Sequence, residues 1–147
     1  MRDHCKEIER YIVKFANYSR KKRGISPFRT NWGLTRVAKK HSKRMAKRNK
    51  IWHGNGVYIA RENITYKNGF WRFIEFLFSN YVYSSGGENV AMTSSKGSSE
   101  NIAKQFHKMW MKSPGHRANI LNSNFSLIGV GVIRNKRGYY STQLFYG

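Results

Sequence analysis

The sequence contains few cysteine, proline and acidic residues, and the lack of a second cysteine excludes one way of stabilising the fold. It has one cysteine (Cys5), two prolines and seven Asp and Glu residues in 147 positions. A single cysteine excludes an intramolecular disulfide, so the fold must depend on its core. No apolar run approaches the roughly 20 residues that span a bilayer. The N-terminal ten residues have no apolar core of the kind found in secretion signals.

Positive charge is what the chain has in excess. Its 28 Lys and Arg residues against 7 acids give a net charge of +21. A field this positive favours anionic partners such as nucleic acid, acidic glycans or anionic lipid. The basic residues are scattered, with clusters at 20–23 and 39–50, whereas a concentrated basic tail would favour nucleic acid more strongly. We interpret the cluster at 39–50 mainly as the solvated face of a helix.

Apolar residues at helical spacing predict three helices. Residues 5–23 carry a stripe that includes Ile8, Ile12 and Phe15. A second helix is predicted at 35–48. A third is predicted at 100–112, after an N-cap at Ser98 or Ser99, and its inner stripe consists of Ile102, Ala103, Phe106, Met109 and Trp110.

The C-terminal third has the pattern of β-strands. Residues 127–133 alternate Ile and Val with Gly129 and Gly131, and glycine on one face of a strand permits close approach of another element. A hairpin turn at 135–138 leads to a return strand at 139–146, and a short buried strand is predicted at 88–92. Helices covering a small, mainly antiparallel sheet would give an α+β fold, an α–β–α sandwich.

Residues 54–86 form the segment whose structure is hardest to predict. Turn residues come first, and the aromatic run Phe70–Tyr83 follows. This run has no strongly polar helical face, so we favour burial in the core over contact with a ligand or membrane. Exposed rings beside basic residues would indicate the alternative.

Five short motifs occur in an order that resembles the CAP superfamily of cysteine-rich secretory, antigen 5 and pathogenesis-related proteins. They are Asn17 with Arg20, His53 after the second helix, Gly-Glu-Asn around Glu88, Ser-Pro-Gly-His-Arg around His116, and Tyr-Ser-Thr-Gln-Leu-Phe at 140–145. The resemblance runs from about Ile8 to Phe145 and implies a single SCP-like domain over 1–147, with a variable aromatic-rich insert at about 54–86. It also implies an α–β–α sandwich.

The same resemblance implies one cleft that contains His53, Glu88 and His116. The family's second glutamate would fall on Ser113, so the usual tetrad of two His and two Glu is incomplete. Two imidazoles and a carboxylate suit a divalent cation, zinc above all. They also suit an acid–base pair or a purely structural hydrogen-bond network, and all three readings remain open. Glu62 in Arg-Glu-Asn-Ile is a rival acid, but it lacks the glycines that precede Glu88.

The leading functional hypothesis is a secreted or envelope-associated binding domain, more a binding protein than an enzyme. Its ligand would be a lipid, a glycan or another anionic surface component, and we expect a monomer. One alternative is a metal-dependent hydrolase, either a peptidase or a cell-wall enzyme, with His53, Glu88 and His116 as its catalytic candidates. Another is nonspecific nucleic-acid binding through charge. His41 and His107 are interpreted as packed or surface residues.

Overall fold

The computed structural model of the chain describes residues 3–54 and 86–147. Within these residues four helices and four strands follow one another. They are α1 His4–Lys22, β1 Arg29–Thr30, α2 Trp32–Arg48, β2 Gly86–Thr93, α3 Ser99–Lys112, α4 Pro114–Ile120, β3 Leu127–Asn135 and β4 Gly138–Tyr146. Helices lie on both faces of the sheet, which confirms the predicted α+β sandwich.

The sheet has the order β1-β3-β4-β2. β3 and β4 form the predicted hairpin, and β2 pairs antiparallel with β4 so that Glu88 lies opposite Leu144. The two-residue strand β1 was not predicted; it pairs parallel with β3 and makes the sheet mixed. Such a short strand has no alternation from which a sequence pattern could find it.

One face of the sheet packs against α1 and α3. Ile8 and Ile12 of α1 and Phe106 and Trp110 of α3 are fully buried there. Met109, placed in the inner stripe from the sequence, is 36% exposed, so that assignment is wrong. The centre of the stripe passes through Phe106 and Trp110, and Met109 lies at its margin.

The other face packs against α2, and two glycines determine how closely. A Cβ at Gly129 would overlap the backbone of Leu34 and Thr35, and one at Gly131 would overlap the backbone at Lys39. The Ser42 hydroxyl, also on α2, donates to the Gly131 carbonyl at 2.7 Å. The predicted glycine face therefore receives the helix backbone directly, as expected for glycine on one face of a strand.

Two polar side chains tie α1 to the rest of the chain. Asn17 exchanges hydrogen bonds with the backbone of Phe28, donating at 3.2 Å and accepting at 2.7 Å. Arg20 is 1% exposed. Its guanidinium donates to the carbonyls of Ser26, Ile120, Asn122 and Phe125. The Asn17–Arg20 motif therefore holds neighbouring backbone segments against the end of α1.

The insert at about 54–86 contains the aromatic run Phe70–Tyr83 and the rival acid Glu62. Both lie outside the described residues, so the burial of the aromatic run and the choice of Glu88 over Glu62 stay predictions. Among residues 3–54 and 86–147, no helix combines the length and apolar character needed to cross a membrane.

The α2–β3 contact gives a first prediction. Gly131→Ala should lower the free energy of unfolding by about 3 kcal/mol, because the new methyl group meets backbone that cannot rotate away. Gly115→Ala is the matched control, since a Cβ there meets nothing within 4 Å. Urea unfolding of both variants measures the difference. Equal stabilities would show that α2 can move away from the sheet at little cost.

The Asn17 bonds give a second prediction. Asn17→Ala should destabilise the fold by about 1–3 kcal/mol, because it leaves the amide and carbonyl of Phe28 without partners. Thermal unfolding followed by circular dichroism measures this loss, with the exposed Asn101→Ala as control. A melting curve that overlays the wild type would mean that water replaces both bonds.

Candidate functional site

His53 follows α2 and lies between two anchored residues. α2 ends at Arg48 and is capped by Asn49, which adopts the left-handed conformation with φ 51°. The buried His41 donates from Nε2 to the Trp52 carbonyl at 2.7 Å, and the two rings meet edge to face. On the other side of His53, Gly54 packs against the His41 ring, which a Cβ would approach to 2.7 Å. The position of His53 thus depends on a buried histidine about two turns before the end of α2.

Glu88 lies on the edge strand β2 and reaches this segment. Its Oε1 atom accepts from the Gly54 amide at 2.8 Å and from Nδ1 of His53 at 3.0 Å. The Glu88 side chain is 8% exposed and that of His53 is 64% exposed. Because a carboxylate only accepts, Nδ1 of His53 carries the proton, and in the neutral ring Nε2 keeps its lone pair.

His116 is brought to the same place by α4. This helix begins with Pro114 at its first position, where the missing amide hydrogen costs nothing. The Asn89 side chain donates to the His116 carbonyl at 3.1 Å, and the Asn119 side chain donates to Asn89 at 2.9 Å. The rings of His53 and His116 are 6.4 Å apart between centroids, tilted by 43°. The structure therefore brings His53, Glu88 and His116 together.

The electrostatics of the site favour a neutral His116. Burial of its ring lowers the pKa below the usual 6.5, and the neighbouring His53 lowers it further by charge repulsion. The lowered pKa favours the uncharged form of His116 at neutral pH. An uncharged imidazole can bind a metal or accept a proton.

One oxygen of Glu88 has no partner in the described part of the chain. Oε2 is buried, and no donor within residues 3–54 and 86–147 reaches it. Buried carboxylate oxygens are normally satisfied by a donor, a water molecule or a cation. This atom therefore gives the site unused capacity to accept a hydrogen bond or to bind a cation.

The fit to a shared metal is partial. Two imidazoles on one tetrahedral zinc, with bonds of about 2.0–2.1 Å, have ring centroids about 5 Å apart. The observed 6.4 Å between His53 and His116 would have to shorten by about 1 Å. Within residues 3–54 and 86–147, no group of three or more His, Cys, Asp and Glu side chains is arranged to hold a metal. Metal binding thus stays a prediction.

Residues 13–146 match the sequence model of the CAP family, described as the cysteine-rich secretory protein family. The chain belongs to this family. Uncharacterized protein YkwD of Bacillus subtilis is similar over 139 residues at 34% identity, covering 95% of this chain and 47% of that protein. The chain therefore spans about half the length of this relative.

Solved structures of two bacterial proteins have the same fold. One is an extracellular protein of Bacillus anthracis that contains an SCP domain, with 26% identity and a TM-score of 0.65 over 94% of this chain and 39% of that one. The other is an outer surface protein of Borrelia burgdorferi, with 16% identity and a TM-score of 0.69 over 99% and 95% of the two chains. The second likeness concerns the fold alone.

The CAP tetrad position taken by Ser113 carries no acid here. Ser113 ends α3 and precedes α4, and its side chain makes no capping hydrogen bond. The amides that support the site, Asn89 and Asn119, were not predicted as functional residues. Asn89 could have been found from its place beside Glu88, whereas Asn119 had no sequence signal because its contacts are long-range.

Of the other three histidines, His107 and His4 lie apart from the site, and His41 packs under the segment that carries His53. His107 is bonded to the Ser19 hydroxyl at 2.8 Å, and burial lowers its pKa to about 4. His41 is 1% exposed beneath the His53 segment. Both are packed residues, as predicted. His4 at the start of α1 bonds the Ser99 hydroxyl, also away from the site.

The two causes that lower the pKa of His116 give a third prediction. In an NMR titration, His116 should take up its proton below pH 6.5. In His53→Gln its pKa should rise but stay below 6.5, because burial is the larger cause and the second charge is the smaller one. His107 provides the internal control, since its pKa of about 4 should not move. A His116 midpoint above 6.5 would contradict the burial of its ring.

Proposed function

We propose that this chain is a ligand-binding domain of an extracellular or envelope-associated CAP protein, and that His53 and His116 together bind one zinc ion. The observation that carries the proposal is the hydrogen bond from His53 to Glu88 beside the ring of His116. Relatives described as extracellular or as outer surface proteins support the location.

The hydrogen bond to Glu88 prepares His53 as a metal ligand. With Nδ1–H held by the carboxylate, the lone pair of the neutral ring lies on Nε2, the nitrogen that Glu88 does not occupy. Histidines that bind metals commonly donate their other ring nitrogen to a carboxylate, which orients the ring and raises its basicity. In this proposal Glu88 mainly orients His53, although the sequence suggested it as a third ligand.

The charge state of His116 supports the same role. Metal ligands must be deprotonated, and protons compete with the metal at low pH. The lowered pKa of His116 favours the neutral ring, in which one nitrogen keeps its lone pair, at neutral pH. Imidazoles suit zinc, and with two protein ligands the ion retains positions for water or for a ligand oxygen.

A binding role fits this site better than hydrolysis. A hydrolase that uses zinc needs a base to activate water. The carboxylate at this site, Glu88, orients His53 and the Gly54 amide through Oε1, and its remaining oxygen, Oε2, is buried away from the solvent that would supply a catalytic water. An ion with open positions would instead accept an oxygen of an anionic surface component, and the charge of +21 would draw such a component in.

Calorimetric titration with zinc chloride tests the proposal. The wild type should bind one ion, His116→Ala should lose binding, and Glu88→Gln should weaken it by about 10–100-fold because His53 loses its orienting partner. Binding should also weaken as the pH falls through the pKa of His116, which lies below 6.5.

His4→Ala is the matched control, because His4 lies at the start of α1, away from the site. It should bind zinc like the wild type. Equal losses in His4→Ala and His116→Ala would indicate general surface binding and overturn the proposal, as would no binding by the wild type. Cleavage of peptide or cell-wall substrates that a chelator abolishes would favour the hydrolase.

A further inference from the structure

A second concave surface lies at the other edge of the sheet. β1 is only two residues long, so among the described residues no strand covers the outer edge of β3 beyond Ile128. Helices α1 and α2 lie on either side of this edge and enclose a groove of about 680 Å³. β2, which carries Glu88, is the strand at the opposite end of the sheet order. The groove is therefore separate from the His53–His116 site.

The floor of the groove is apolar, and its one acid is already paired. Val13 of α1 and Val130 of β3 line it. Glu9 accepts from the Val132 amide at 3.0 Å and from the Lys39 ammonium at 3.2 Å. The first contact satisfies one amide at the edge of β3, and the second compensates the charge of Glu9. They leave this carboxylate little capacity to neutralise other cations.

The rim of the groove carries three further cations. Lys6 and Arg10 of α1 and Arg36 of α2 are exposed and line it. In the part of the chain that the structure describes, none of the three forms an ion pair. Arg36 lies over the ring of Trp32 at 5.6 Å, and Trp32, which is 64% exposed, lines the same groove. The rim thus combines a flat aromatic surface with uncompensated positive charge.

We propose that this groove is a binding site for one amphipathic anion. Its apolar body lies on Val13, Val130 and Trp32, and its carboxylate faces Lys6, Arg10 and Arg36. The volume falls within the range of about 300–1,000 Å³ typical of small-molecule sites, which are mostly apolar with a few placed polar groups.

Charge and shape favour this occupant over a polyanion. Guanidinium groups bind carboxylates through paired, charge-assisted hydrogen bonds, which Arg10 and Arg36 can supply. A uniformly charged polymer would leave the apolar floor in contact with water and gain nothing from it. The ligand must therefore carry both an apolar body and an anionic end.

Sodium dodecanoate below its micelle-forming concentration is the probe, measured by calorimetry. Arg10→Gln combined with Arg36→Gln should weaken binding by at least about tenfold, since two charge-assisted bonds are lost. Lys43→Gln combined with Lys47→Gln is the matched control. It removes the same charge from exposed positions of α2 that do not line the groove, and it should change the affinity less than about twofold.

Two further arms separate shape from charge. Thr35→Trp should abolish binding by filling the groove while every cation remains, with its thermal unfolding compared with the wild type to confirm folding. Dodecyltrimethylammonium, which has the same chain and the opposite charge, should not bind. Loss of zinc binding in His116→Ala should leave dodecanoate binding unchanged, so the two proposals fail independently.

Three results would overturn the inference. They are no dodecanoate binding by the folded wild type, equal weakening in the two double variants, and equal affinity for the cationic detergent. The second would mean that charge acts without a defined site. The third would mean that the groove selects only apolar bodies.

Discussion

The close contact between the backbone of α2 and the glycines of β3 is the constraint on which both functional regions depend. Side chains at Gly129 and Gly131 would meet helix backbone, so the distance between helix and sheet is set by the absence of Cβ atoms. With that distance fixed, His41 reaches the Trp52 carbonyl beyond the end of α2. His53 is then held where Glu88 can bind it, and the first turns of α2 form one wall of the groove.

The second histidine depends on a different set of contacts. Arg20 donates to the carbonyl of Ile120, the last residue of α4, and to those of Asn122 and Phe125 just beyond it, and so fixes the exit of the helix that carries His116. Asn89 holds the His116 backbone from β2. Each imidazole therefore has its own support, and Glu88 with Asn89 on β2 connects the two. The spacing of 6.4 Å between the rings results from packing on both faces of the sheet.

The sequence predicted those features that depend on local periodicity or on motifs. Apolar stripes located three helices, and alternation located the β3–β4 hairpin and its glycine face. His53, Glu88 and His116 came from the family resemblance, since nothing in their spacing brings residues so far apart in the chain together. β1 was too short to show a hydrophobic pattern from which the sequence could predict it. The pairing of Glu9 with Lys39 and the Val132 amide depends on how α1 lies across the edge of β3, which only the folded chain determines.

The few acids of the described chain explain why its positive charge faces outward. Glu9 and Glu88 accept hydrogen bonds from backbone amides, and Glu7 accepts from the Ser99 hydroxyl. Asp3 caps α1, and Glu100 lies in the first turn of α3, where negative charge complements the helix dipole. Each of these acids thus has a structural contact or a favourable place at a helix N-terminus, while the cations of α2 other than Lys39 are exposed to solvent. The resulting field acts on external anions, concentrating them at the surface before any specific contact forms.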